Sequence, residues 1–274
     1  MLNERLCPNT YIQIVPIVEQ NGRILLEGKG KTVEYAVKMK RLPAENMMDQ
    51  LLDQGKVTKN MLKKVANHLS DFHSEAESSP RISKYSDRSI RSAWKENFQQ
   101  WQPNIGTTIT KDQDILLRQY VNSFFLRNKN LLEKRLNNHR ARDCHGDLRS
   151  DAICLGSDNK IYIYDCIEFN RRFRYTDVAG DVGFLAMDLD YRGHEKLSKS
   201  FVNDYIDISK DHDLLSIINF YKCYRAAVRG KVEGMQLNQA EISDKDKKQA
   251  LLSARKYFRL ACKYAGSDSP WLFI

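Results

Sequence analysis

Apolar and polar residues alternate near the start of the chain, and helical spacing dominates its second half. Tyr11-Ile12-Gln13-Ile14-Val15-Pro16-Ile17-Val18 reads as a strand. Pro16 cannot donate to a ladder, so the strand is expected at a sheet edge. Asn21-Gly22 supplies a two-residue hairpin turn, Arg23 to Glu27 returns, and Val33 to Met39 forms a third strand. Pro43 ends regular pairing. Val57, Met61, Leu62, Val65, Leu69 and Phe72 then recur at helical spacing, with lysines on the opposite face.

Residues 78–110 are polar and interrupted by Pro80, Pro103 and Gly106. They read as a loop with one short helix around Ala93 to Trp101. A long amphipathic helix follows, carrying Ile115, Leu116, Tyr120, Phe124 and Phe125 on one side. Two short strands, Ala152 to Leu155 and Lys160 to Asp165, are joined by a turn at Gly156-Ser157-Asp158-Asn159. From Thr176 to Ala265 the pattern is helical. Its stripes are Leu197, Phe201, Tyr205 and Ile208; then Leu214, Ile217, Ile218, Tyr221, Tyr224 and Val228; then Ala250, Ala254, Tyr257, Phe258 and Ala261. Strands first and helices afterwards make an α+β chain.

Composition narrows the class. With 274 residues, 42% apolar and 29% charged, the chain can bury a sizeable core and reads as a soluble globular protein. No apolar run approaches the roughly 18 residues of a membrane span. Met1 to Leu6 holds no signal-peptide core, and six cysteines occur without a C-x-x-C pair. Reduced thiols in a cytoplasm, rather than a zinc centre, are the expectation. The formal charge is +9, but basic residues are interleaved with acids along the chain. A solvated surface with some anion binding accounts for that spread better than a nucleic-acid face does.

The chemistry-bearing stretch is His145-Gly146-Asp147-Leu148-Arg149-Ser150-Asp151-Ala152, followed by Ile161-Tyr162-Ile163-Tyr164-Asp165. Its spacing matches the kinase-type loop H-x-D-x-x-x-x-N, with a further Asp after a short strand. Phosphoryl transfer needs one carboxylate at the attacking hydroxyl, and other oxygen ligands on the Mg²⁺ that neutralises the phosphates. Ala152 occupies the position of the metal-binding Asn.

With Val65 to His73, His145 to Leu148, Asp165 and Thr176 to Leu185 in this order, the chain resembles the aminoglycoside phosphotransferase and choline-kinase-like branch of the protein-kinase-like fold. Glu34 to Pro43, Tyr164 to Asn170 and Tyr224 to Lys231 are similar to a bacterial two-domain group in which this domain precedes a P-loop ATPase. The resemblance covers nearly the whole chain. It implies a reduced N-terminal β portion over residues 1–43 and a larger, mostly helical C-terminal lobe over 44–265. Residues 266–274 would then begin a following domain or tail, with Pro270 to Ile274 as the strand before a Walker A loop. In that group a phosphate-facing Lys would precede Leu2.

The resemblance also implies ATP and Mg²⁺ as cofactors and a small-molecule hydroxyl as acceptor, with a P-loop ATPase as domain or partner. Asp147 would orient the acceptor, His145 would hold the loop, and Asp165 would bind Mg²⁺. Asp181 would brace the loop from within, and Arg149 is grouped with it as a supporting residue. Ala36-Val37-Lys38 mimics the V-A-I-K motif. The resemblance instead makes Val37, Met39 and Lys40 a hinge whose backbone meets adenine, because Pro43 and a helix follow. Without a metal-binding Asn, a pseudokinase that binds nucleotide or partner without chemistry is the competing expectation.

Overall fold

A two-residue turn sets the geometry of the first sheet. In the computed structural model, which describes residues 2–156, 160–239 and 241–268, Asn21 and Gly22 take positive φ values of 50° and 72°. That pairing matches the twist of a tight hairpin. It joins β1 (Tyr11–Gln20) to β2 (Arg23–Leu26), and β3 (Lys31–Met39) pairs antiparallel on the other side. The order is β2-β1-β3. Pro16 therefore lies in the central strand, not in the expected edge strand. The Pro16 carbonyl accepts the Glu27 N–H at 3.0 Å. Within an antiparallel strand the N–H and C=O of one residue face the same neighbour. The missing donor thus faces the β2 side, where the ladder stops at Ile17 opposite Leu26.

The remaining elements are α1 (Met48–Asp53), α2 (Lys59–Glu75), α3 (Pro80–Gln100), α4 (Lys111–Arg127), α5 (Lys129–Asn137), β4 (Ala141–Asp143), β5 (Ile153–Leu155), β6 (Ile161–Ile163), α6 (Arg171–Arg174), β7 (Tyr175–Asp177), α7 (Ala179–Tyr191), α8 (Glu195–Ser209), α9 (Ile218–Gln236) and α10 (Asp244–Asp268). The chain is thus mixed, with small antiparallel sheets and mostly helix. It divides into two compact units: Met1–Val57 with Asp151–Glu168, and Thr58–Ser150 with Phe169–Ile274. The division falls after Val57 rather than after Pro43, and the β5–β6 hairpin belongs to the first unit. Part of the turn expected at 156–159 and the strand expected at 270–274 lie outside the described residues.

In the first unit, β5 and β6 pair with Ile153 opposite Ile163. The chain start is tied to this hairpin: Ile163 N–H donates to the Leu6 carbonyl at 3.1 Å, and Cys166 N–H to Asn3 Oδ1 at 2.6 Å.

In the second unit the expected short helix is replaced by α3, which begins at Pro80. Ser79 caps it by accepting the Ile82 N–H at 3.3 Å, and proline is favourable at a first helical position. Pro80 starts a helix here instead of breaking one. Thr110 and Gln113 form a capping box at the head of α4. That helix buries Leu117, Tyr120, Val121 and Phe124 and leaves Ile115 exposed, so its apolar face is rotated from the expected one.

The core of this unit is aromatic. Trp94, Trp101, Tyr120, Phe220 and Phe258 are buried, and Phe124 stacks on Phe220 with centroids 3.8 Å apart. Burying each such side chain contributes about 1.5–3 kcal/mol. Helix α7 is buried from Ala179 to Leu189 without a polar face, as an interior helix should be. Among the described residues no helix is long and apolar enough to cross a membrane.

Candidate functional site

Two acids on α7 hold both ends of the His145–Ser150 loop. Strand β4 pairs with β7 and delivers the chain to Cys144. The backbone then turns through Gly146, at a φ of 90°. A Cβ there would lie 2.8 Å from the Phe173 carbonyl oxygen, so glycine is required sterically as well as conformationally. The Asp181 carboxylate accepts the His145 N–H at 2.7 Å and the Gly146 N–H at 2.9 Å. Asp188, two helical turns further on the same face, accepts the Ser150 N–H at 3.0 Å and the Ser150 hydroxyl at 2.5 Å.

Between these anchors the His145 ring is fully buried, and its Nδ1 accepts the Asp147 N–H at 3.3 Å. Leu148 is also buried. Asp147 is about one-third exposed, with Arg149 Nε 3.9 Å from its Oδ1. His145, Asp147, Arg149 and Asp181 are therefore brought together. The loop presents one accessible carboxylate on a backbone fixed at both ends.

Burial alone would raise the Asp181 carboxyl. The hydrogen bond from His73, the nearby His73 and His145 rings and the Gly146 N–H outweigh it and hold Asp181 well below the usual carboxylate range. The other ring nitrogen of His73 meets the Tyr205 hydroxyl at 2.8 Å. The ligand atoms of His73, Cys144 and Asp181 lie within 4.8 Å of one another. This trio does not fit a metal: both His73 nitrogens are engaged, and burial pushes the Cys144 thiol far up.

A second buried network fixes β7 and the head of α7. Arg135 donates to both Asp177 oxygens at 2.8 Å and to Asp211 at 2.7 and 2.8 Å. Burial disfavours its charge, but the two carboxylates raise it further above its ordinary value. Asp177 also accepts the Ala179 N–H at 2.8 Å.

The first unit carries the remaining candidates. Asp165 follows β6 at a φ of 62°, its N–H donates to the Tyr11 hydroxyl at 3.2 Å, and the residue is exposed. Burial pushes the Tyr11 phenol up to about 12, against the lowering effect of the Asp165 N–H that its oxygen accepts. Tyr164 is raised by burial and by Asp151, Asp165 and Asp49, so these carboxylates share its surroundings. Glu45, Asp49, Gln50, Asp151 and Tyr164 line an open groove of about 410 Å³. Ala152 contributes its carbonyl to the Tyr164 N–H at 3.1 Å, and its methyl offers no ligand oxygen.

Val37 and Met39 lie on β3 opposite Ile14 and Tyr11, with exposed side chains. The Lys40 N–H is already bound to the Thr10 carbonyl at 2.8 Å. Asp147 and Asp165 belong to different units.

His73, Asp188 and Arg135 were not among the expected site residues. Asp188 carried a signal: it is the second acid, at i+7, in an otherwise apolar helical stretch.

No family model matches this chain. It is similar to the uncharacterized protein Rv2004c of Mycobacterium tuberculosis and to the uncharacterized protein Mb2027c of Mycobacterium bovis. Each is 28% identical over 241 residues, covering 88% of this chain and 47% of the relative. The chain thus spans about half the length of the curated relatives it matches.

Proposed function

We propose that this chain is a kinase-type phosphotransferase domain with a protein-kinase-like fold. It would move the γ-phosphoryl group of ATP to a small-molecule hydroxyl. The observation that carries the reading is the doubly anchored loop: a buried carboxylate, Asp181, receives two backbone N–H groups beside the one accessible carboxylate, Asp147. Such a loop positions an acceptor with little reorganisation, which is most of what phosphoryl transfer asks of a protein. Asp147 orients the acceptor hydroxyl and takes its proton as the oxygen forms its bond to phosphorus; ADP leaves. His145 and Asp181 fix the loop, and Arg149 flanks Asp147. The segment Val37–Lys40 seats adenine through backbone groups other than the Lys40 N–H.

The carboxylates around Tyr164 are the hard oxygen donors that Mg²⁺ prefers, and Asp165 would hold it. When bound, the ion neutralises charge on the phosphates. Cytoplasmic location and a P-loop ATPase as additional domain or partner belong to the same proposal.

Ala152 favours a second reading, a pseudokinase that binds nucleotide without turnover. Thermal unfolding with ATP, with and without Mg²⁺, tests what both readings share. Ligand at 100 times its Kd adds about 2.7 kcal/mol of stability. A rise in Tm that requires ATP supports them, and no shift under either condition removes both. Turnover lost in Asp147→Asn separates the enzyme from the pseudokinase.

A further inference from the structure

A cavity of about 290 Å³ in the second unit is lined by Ser70, His73, Ser74, Arg140, Arg142 and Ser209, outside the loop already described. Asp71, exposed, is its one lining carboxylate. Two guanidinium groups and four hydroxyls, those of the three serines and Tyr205, make its wall positive and polar, with the Ser74 hydroxyl already donated to the Asp71 carbonyl at 2.7 Å.

The two arginines are incompletely neutralised. Arg142 donates through Nη1 to the Ser74 and Ala76 carbonyls at 3.1 and 2.8 Å, and it has no carboxylate partner among the described residues. Arg140 reaches Asp211 only at 3.7 Å, and that carboxylate is already shared with Arg135 at 2.7 and 2.8 Å. Guanidinium forks match tetrahedral oxyanions. The volume suits a small ligand and is near the lower bound, about 300 Å³, of typical small-molecule pockets.

His73, 3% exposed, belongs both to this wall and to the loop brace, 3.2 Å from Asp181. We propose that this cavity is a binding site for a small phosphorylated molecule, coupled through His73 and Asp181 to the backbone of His145 and Gly146. The site does not depend on the phosphotransfer reading.

The test titrates the full chain with inorganic phosphate and with glycerol 2-phosphate, at ionic strength held constant with potassium chloride. Acetate serves as the carboxylate control. Saturable binding of a phosphate probe is expected, weakened at least tenfold in Arg140→Gln and in Ser209→Phe. The second variant fills the cavity while keeping both arginines. The Tm of each variant without probe identifies which are folded, and each folded variant carries the comparison. In the parent, saturation moves the amide resonance of Gly146. Three results overturn the proposal: no saturable binding in the parent, acetate binding as tightly as phosphate, or affinity unchanged in the folded variants. A Gly146 resonance that stays fixed at saturation overturns the coupling.

Discussion

His73 Nε2 stands 3.2 Å from Asp181 Oδ2 in the interior of the second unit, and the same carboxylate holds two amides of the Asp147 loop. Side chains from α2 and α7 therefore meet at the point that shapes the loop. Asp181→Asn keeps the shape but turns one acceptor into a donor that faces donors. It is expected to cost about 1–3 kcal/mol, read as a lower Tm. The sign with pH follows from the lowered carboxyl. A group whose folded value is depressed stabilises fully above its unfolded value, about 3.9, and loses that contribution as pH falls through the folded one. The gap in stability between parent and variant should hold from pH 5 to 8, by this reasoning, and narrow below about pH 4.

Arg135 is 1% exposed and bridges two buried carboxylates, Asp177 at 5% and Asp211 at 2%. Arg135→Met leaves Asp177 and Asp211 without their shared cation, with only Arg140 Nε 3.7 Å from Asp211. A loss of about 3–5 kcal/mol is expected, measured as a lower denaturant midpoint at unchanged slope. An unchanged midpoint would mean that water already screens the pair.

Gly146→Ala tests the turn itself. The added methyl would meet the Phe173 carbonyl at 2.8 Å, on a backbone with a φ of 90°. Strain of about 1–3 kcal/mol is expected from the backbone alone. Amide exchange should accelerate at residues 145–150 more than in α9, where the substitution makes no contact.

Much of this architecture was legible in the chain because local physics decided it. Asn21-Gly22 dictates a hairpin wherever it falls between apolar runs, and the α2 stripe from Leu62 to Phe72 has one possible inward face. Pro16 misled because its lost donor matters only on the side where a partner strand continues, and β2 ends there. Pro80 misled because the same residue breaks a helix interior and starts a helix at its first position; the serine before it was the deciding signal. Strands β4 and β7 span three residues each, too few for any period. Asp147 and its loop could be found by spacing. His73 meets Asp181 across 108 residues of sequence and Asp188 meets Ser150 across 38, so both come into range only through packing.

Ala152 offers the most direct gain-of-function experiment. Its side chain is a methyl, and its carbonyl bond to the Tyr164 N–H is made by backbone, so a longer side chain leaves that bond in place. If the chain transfers phosphate, Ala152→Asn restores an amide oxygen where the kinase-type loop uses one to bind metal. A ligand worth about 3 kcal/mol in the transition state changes turnover about a hundredfold. ADP release should therefore rise in Ala152→Asn, and Asp147→Asn combined with it should abolish the gain. The residue is 7% exposed, so the larger side chain must find room, and a Tm within a few degrees of the parent checks that it has. A folded Ala152→Asn that binds ATP and still releases no ADP would assign the loop to binding alone. The anchored Asp147 would then be the remnant of a catalytic arrangement, with Asp181 and Asp188 retained because the interior helix that carries them needs partners for its charges.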